Sequence, residues 1–391
     1  MRLMIIEREP DYGGGSEQIS LSLAQYLKTR DHTLFLLHEQ PGTMLPAYEA
    51  IVTERFQFAL PGFARRRPLD TFAGIARIGQ VMRDNRIDVA ITSHFGFIHV
   101  AAWVSVLYGA RFCFHLGLPC PWRTQFSRMA YRRIALGISP SEHCAQTWRS
   151  CGWPAERLHV VPNWIDMERF ATTLPRAQLR QELGLPQDRA LIVFVGRICA
   201  DKGVKELLAA FSALCSVRSD TDLVIVGPFE KPYQVEFARL LNELSPEVRA
   251  RILVRPPTPT PERYYAAASV VSVPSVFEEP FGLTFLEALA SGVPVVASRM
   301  KTFVQIVGNE PEHGLVAIGD VGALRDRLLW TLDHPDAAAA VAARLKAQVR
   351  TRYTAAACAS QYEALLDDLV NGRSGDGETV SRRSAMGRLP G

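Results

Sequence analysis

No cysteine pair stands at C-x-x-C spacing, no apolar run is long enough to cross a bilayer, and no Asp or Glu occurs between residues 89 and 141. Each absence excludes something. Without close pairs, the seven scattered cysteines read as reduced thiols in a cytosolic setting, not as a disulfide framework. Cys113 and Cys120 share a spacing with Cys144 and Cys151, but it is too loose for a usual zinc site. The best spanning candidate, FGFIHVAAWVSVLYGARFCF at 95–114, is interrupted by His, Gly and Arg. It falls short of the roughly 20 clean apolar residues a span requires and reads as a buried helix followed by a strand. The opening MRLMIIEREP has too short an apolar run for the core of a secretory signal. A net charge of +4 is too mild to imply nucleic acid and leaves room for an anionic substrate or an anionic membrane surface.

What is present is an ordinary globular composition, 48% hydrophobic and 21% charged, over 391 residues, more than one core usually absorbs. Short apolar runs alternate with helical patterns. RLMII, HTLFLL, DVAIT, RFCFH, ALGIS and LHVVP read as buried parallel strands, apolar on both faces. A second series follows Pro162: ALIVFVG, DLVIVG, RILVRP, ASVVSVP, VPVVAS and GLVAIG. Helices lie between, as at Val204, Leu207, Leu208, Phe211 and Leu214, whose spacing marks one apolar face. Strand–helix alternation in two series predicts an α/β protein of two Rossmann-like doubly wound domains. The expected division is 1–165 and 166–354, then a C-terminal helix over 355–370 and a tail over 371–391 with little to bury. The sequence does not fix whether that helix packs on the first domain. The polar stretch NWIDMERFATTLPRAQLRQELGLPQDRA reads as the linker and the lead-in to the second domain.

Ligands of such sheets sit at the carboxyl ends of the strands. Four places there carry chemistry. After the first strand comes YGGGSEQ, where Gly14 and Gly15 let backbone approach a ligand ahead of a helix marked by Ile19, Leu23, Tyr26 and Leu27. The plain alternative is a strand-to-helix turn. In FVGRICADKGV, Arg197 and Lys202 stand beside a helix start, as a diphosphate site requires, against a bland reading as solvated charges. In EEPFGLTFLEALASG, Glu279 precedes a turn, and Phe281, Gly282 and Leu283 open a helix whose free N–H groups can hold phosphate or sugar oxygens. Glu287 lies further along that helix, where a carboxylate suits the vicinal hydroxyls of a ribose. His94 and His115 fall at strand ends, as site residues or as core histidines bonded to backbone. The acid-free stretch 89–141 interleaves Arg111, Arg123, Arg128, Arg132 and Arg133 with Trp122, Phe126 and Tyr131, and Arg65, Arg66 and Arg67 add to the same domain. That pattern suits an anionic membrane surface or a lipid-diphosphate acceptor. The alternative is a solvated helix face.

The two glutamates with their glycine turn resemble the E-x7-E motif of retaining glycosyltransferases of family 4, which have the GT-B fold of two domains facing across a cleft. GGSEQ resembles that family's N-terminal glycine loop, VGRICADKG its phosphate-binding string, and VVPNWIDMERF the string joining its domains. The resemblance runs over residues 1–370 in order and spacing. Trp164 departs from it, standing where the family usually has glycine.

The resemblance implies roles. Glu279 would contact the transferred sugar near its reacting face, and Glu287 the ribose of a UDP- or GDP-sugar donor. Arg197 and Lys202 would hold the diphosphate and stabilise it as it leaves. Gly14 and Gly15 would let the first domain close over that diphosphate. His115 would meet the sugar's O6 or the acceptor. The expected reaction is sugar transfer with retention to a hydroxyl of a glycan or lipid-linked acceptor, in polysaccharide or glycolipid synthesis. It would take place in the cytoplasm or at the inner membrane face. No metal and no cofactor is expected, on the reading that the sequence offers no Asp-x-Asp for a metal-bridged diphosphate. The competing readings are a nucleotide-sugar epimerase and an inactive nucleotide-sugar-binding partner in a polysaccharide assembly complex.

Overall fold

The computed structural model describes residues 1–11, 14–61, 68–171 and 174–372. The chain forms two compact units: Met1–Trp164 with Ala355–Gly391, and Ile165–Thr354.

The first unit is built on β1 (Arg2–Glu7), β2 (Thr33–His38), β3 (Glu54–Gln57), β4 (Val89–Thr92), β5 (Phe112–His115), β6 (Leu136–Ser139) and β7 (Leu158–Val160). They pair in parallel in the order β3-β2-β1-β4-β5-β6-β7. The second unit has β8 (Ala190–Val195), β9 (Thr221–Val226), β10 (Ile252–Arg255), β11 (Val270–Val273), β12 (Val295–Ser298) and β13 (Leu315–Val316). These too are parallel, in the order β10-β9-β8-β11-β12-β13. Helices cover both faces of each sheet, so the central strands are buried throughout: β4, β5, β6, β9 and β11 have no exposed residue. Apolar area removed from water, about 25 cal/mol per Å², is what drives this layering.

In each sheet the strand order reverses beside the first strand, between β1 and β4 and between β8 and β11. Connections leave in opposite directions there and open a crevice at the strand ends. Gly14 follows β1, His94 follows β4, the Arg197–Lys202 segment follows β8 and Glu279 follows β11.

All twelve apolar runs read from the sequence form strands. β3 has no apolar signature; Glu54 and Gln57 are exposed, as an edge strand permits. The polar stretch after Pro162 is less of a linker than its composition indicates. Ile165, Met167 and Phe170 join the core of the second unit, and Arg176–Glu182 is a helix. Within it the buried Arg180 guanidinium donates to the carbonyls of Ala267, Gln187 and Arg189. Trp164 is buried as well. Its indole N–H donates to Ser22 Oγ at 2.8 Å, and its ring meets Tyr362 edge-on at 5.9 Å. The bulky residue in a glycine's usual place therefore fills core space, with no positive φ.

The helix Ala355–Val370 belongs to the first unit, against Gly15–Thr29. Glu363 ties it down, accepting from Tyr26 at 3.1 Å and from Arg30 at 3.2 Å and bonding His32 Nε2 at 2.9 Å. The tail from residue 373 and the triple arginine at 65–67 lie outside the described residues.

Candidate active-site residues in the two units

In the second unit, the loops after β8 and β11 are stitched together. The N–H groups of Val276 and Phe277 both donate to the Asp201 carbonyl, at 2.9 and 3.3 Å. The chain passes so close that a Cβ on Gly203, at φ 68°, would lie 1.9 Å from the Pro274 carbonyl oxygen. Only glycine fits there. This contact brings Lys202 to Glu279: the ammonium is ion-paired with Oε1, which also accepts from Ser275 Oγ at 2.7 Å. Glu279 is 7% exposed. The pair is sheltered, unlike the solvated lysine of the bland reading. Arg197 stands apart and exposed, with no hydrogen bond or ion pair among the described residues.

Thr302 Oγ1 holds the Glu279 carbonyl at 3.0 Å. The helix Leu283–Ser291 then starts from Gly282 at φ 87°, whose missing Cβ would strike the Phe303 ring. Gly282 gives its carbonyl to Phe285 and Leu286. Phe281 is buried against Tyr353 at 5.9 Å and braces the turn, and the first helical N–H groups, at Leu283 and Thr284, have no intrahelical acceptor. One turn on, half-buried Glu287 accepts a hydrogen bond from Tyr265 Oη at 2.9 Å. Burial pushes its carboxyl upward, and the Tyr265 hydroxyl opposes that. Tyr265 and Ser275 were invisible to motif reading because neither belongs to the glutamate string.

In the first unit a pocket of about 400 Å³ opens at the ends of β1 and β4. Its walls include Glu7, Arg8, Gly14, Ser16, Glu17 and His94. Gly15 begins the helix behind it. Glu7 is buried with Oε1 unpartnered, and burial pushes its carboxyl up to about 8. Burial likewise raises Glu17 and lowers His94. His115, at the end of β5, is 5% exposed and bonded through Nδ1 to Tyr362 Oη. Burial pushes its imidazole down to about 4.

Two sequence expectations need correction. Tyr131 is not a surface aromatic; it is buried between Trp148 and Trp153. Trp122 is half-buried, edge-on to Phe95. Exposed apolar residues of the stretch are instead Leu118, Phe126 and Met129, with Trp103, Val106 and Leu107 of the neighbouring helix Ile98–Tyr108. The chain also does contain an Asp-x-Asp, Asp220-Thr221-Asp222, at the start of β9. Its carboxylates pair with Arg218 and Arg189, and among the described residues no group of three His, Cys, Asp or Glu is placed to hold a metal ion.

Two parallel-sheet α/β domains of this kind, joined in one chain, match the GT-B fold. HepE of Anabaena, solved with UDP and glucose, superposes with a TM-score of 0.82 at 19% identity, covering 94% of this chain and 100% of that one. WaaG, a glycosyltransferase involved in lipopolysaccharide biosynthesis, gives 0.71 at 17% identity, over 95% and 100%. In sequence, the profile of Glycosyltransferase Family 4 matches residues 13–169, and that of Glycosyl transferases group 1 matches 175–350. The chain belongs to glycosyltransferase family 4. A D-inositol 3-phosphate glycosyltransferase of Corynebacterium glutamicum is 34% identical over 233 residues, 57% of this chain and 54% of its own. A lipopolysaccharide 1,2-N-acetylglucosaminetransferase of Salmonella typhimurium is 34% identical over 151 residues, 37% and 39%. The chain thus spans about half the length of the first of these relatives or less.

Proposed function

We propose that the chain transfers a sugar from a nucleotide diphosphate-sugar to an acceptor hydroxyl with retention at the anomeric carbon. The observation that carries this is the stitched pair of loops presenting Lys202, Glu279 and the open helix start at Leu283 on one sheet edge. Lys202, exposed Arg197 and the free N–H groups supply positive charge where the diphosphate leaves, so no metal is required. The Glu279 carboxylate, fixed by Ser275 and Lys202, faces the sugar hydroxyls, and Glu287 takes the ribose. The bond from C1 to the diphosphate oxygen breaks and the acceptor oxygen bonds C1 on the same face. The acceptor proton passes to the departing diphosphate. Uracil is the favoured base of the donor, since HepE, a neighbour in fold, was solved with UDP.

Incubation with UDP- and GDP-sugars and a lipid-linked acceptor tests this. The expected product is an α-linked glycoside from an α-donor, formed equally in EDTA. Arg197→Ala and Lys202→Ala should each lose about 100- to 1,000-fold in turnover. An inverted product, or loss in EDTA restored by magnesium, refutes the mechanism. An isomerised donor would establish the epimerase reading instead.

The acceptor is proposed to be presented at a membrane. Among the described residues no helix is long and apolar enough to cross one, but the first unit carries a surface suited to lying on one. His99 stacks on Phe126 at 5.0 Å. From His99, Trp103, Val106 and Leu107 continue along one helix face. Arg128, Arg132 and Arg133 are exposed on the neighbouring helix end. Apolar side chains among cations, with no acidic residue in 89–141, match an anionic bilayer.

A further inference from the structure

We propose that Tyr362 is a positioning residue: its hydroxyl fixes His115 as the tautomer that carries its proton on Nε2, so that the imidazole donates a hydrogen bond to a substrate oxygen. This rests on the reading that His115 meets a sugar or acceptor hydroxyl.

The two residues lie 247 positions apart and bond at 2.5 Å between His115 Nδ1 and Tyr362 Oη. Both are buried. Burial holds the imidazole neutral and pushes the phenol far above its ordinary range, so neither is ionised near neutral pH. A neutral imidazole has one N–H and one bare nitrogen, and the bond at one decides the state of the other. Two arrangements are available. If Nδ1 donated, the Tyr362 O–H would need another acceptor, and no other hydrogen bond is formed by that hydroxyl among the described residues. A buried O–H would then be stranded, at the cost of its lost hydration. If Tyr362 donates, its proton is satisfied, Nδ1 is satisfied, and the polar group left over is Nε2–H. That atom is itself buried and unpartnered. The arrangement therefore concentrates the unmet donor capacity of the pair at one atom.

A second observation places that atom at a gap. Gly117 follows the strand end at ordinary φ, so its backbone does not demand glycine. A Cβ there would sit 3.1 Å from His115 Nε2 and 2.8 Å from Ser16 Oγ. Ser16 lines the pocket of the first unit. The missing side chain leaves the covered Nε2–H and the pocket-lining Ser16 hydroxyl on either side of one Cβ-sized space. A donor at that place can bind a sugar or acceptor oxygen and cannot take a proton from it. This agrees with a reaction in which the diphosphate, not a protein base, receives the acceptor proton.

Nitrogen-15 NMR of the full chain labelled at histidine reads the tautomer directly, with His115→Gln used to assign the signal. The expected result is an Nε2-protonated ring without any ligand present, and a mixed or Nδ1-protonated ring in Tyr362→Phe. In activity, Tyr362→Phe should lower kcat about 10- to 100-fold while the UDP affinity stays within about threefold. Gly117→Ala should keep the wild-type tautomer yet lose comparable activity, because it covers Nε2 without touching Tyr362. An Nδ1-protonated ring in the wild type overturns the proposal, and this measurement needs no variant to fold. So does a Tyr362→Phe enzyme with unchanged tautomer and unchanged kcat. A chain that transfers no sugar but holds the Nε2-protonated ring would refute the transferase reading and leave the tautomer assignment standing.

Discussion

Glu7 is a buried carboxylate and Glu287 a half-buried one, and their neighbours give them different work. Glu287 has one oxygen satisfied by Tyr265 and the other without a hydrogen bond among the described residues. Glu287→Ala should weaken UDP binding about 10- to 100-fold, since a hydrogen bond to a charged group is worth about 1.5–3 kcal/mol. Isothermal titration checks this, and an unchanged affinity removes the ribose role. Glu7 has an unpartnered oxygen, and burial raises it to about 8. The folded chain then keeps a proton that the unfolded chain sheds above its ordinary value of 4.5. Stability should therefore fall as pH rises from about 4.5 to 8, by at most about 1.4 kcal/mol per pH unit from this group. Glu7→Gln should flatten that slope in melting temperatures measured across the range. An identical slope in the variant shows that Glu7 is ionised in the fold.

At the level of strands and loops, the tight approach behind the site predicts a specific fragility. Gly203→Ala adds a left-handed alanine and drives Cβ into the Pro274 carbonyl. The cost should exceed about 2 kcal/mol and lower the melting temperature by about 4–8 °C. Gly319→Ala has a similar φ, 74°, with nothing within 4 Å, so it should cost less. Equal losses in the two would mean that the loop contact carries nothing beyond backbone strain. The strands themselves were legible because buried parallel strands are written as apolar runs. The exposed edge β3, read as ERFQ, has no such signature. Strand order was not legible either, since each run resembles the others. Glu279 and Lys202 could be singled out by motif, but not their ion pair, because the stitching at Asp201 is made by backbone atoms. Tyr265 and Tyr362 act on their partners across 22 and 247 positions, beyond any local pattern.

For the molecule as a whole, the arginine-flanked apolar surface predicts where it works. The chain should pellet with vesicles containing anionic lipid, less with neutral ones, and less again at high salt. Arg128→Glu with Arg132→Glu, or Trp103→Ser with Leu107→Ser, should each stay in the supernatant. Failure of the wild type to pellet at low salt would make the acceptor a soluble one. The path of the chain has its own consequence. The second unit is one continuous stretch, Ile165–Thr354, set inside a first unit whose last helix is the end of the described chain. On the ribosome, where domains fold as they emerge, the second unit can finish first. The earlier-made first unit must wait, with the Gly15–Thr29 helix uncovered, until Glu363 arrives to clasp Arg30 and His32. A protease or chaperone acting during translation would therefore find its target in the part synthesised earliest.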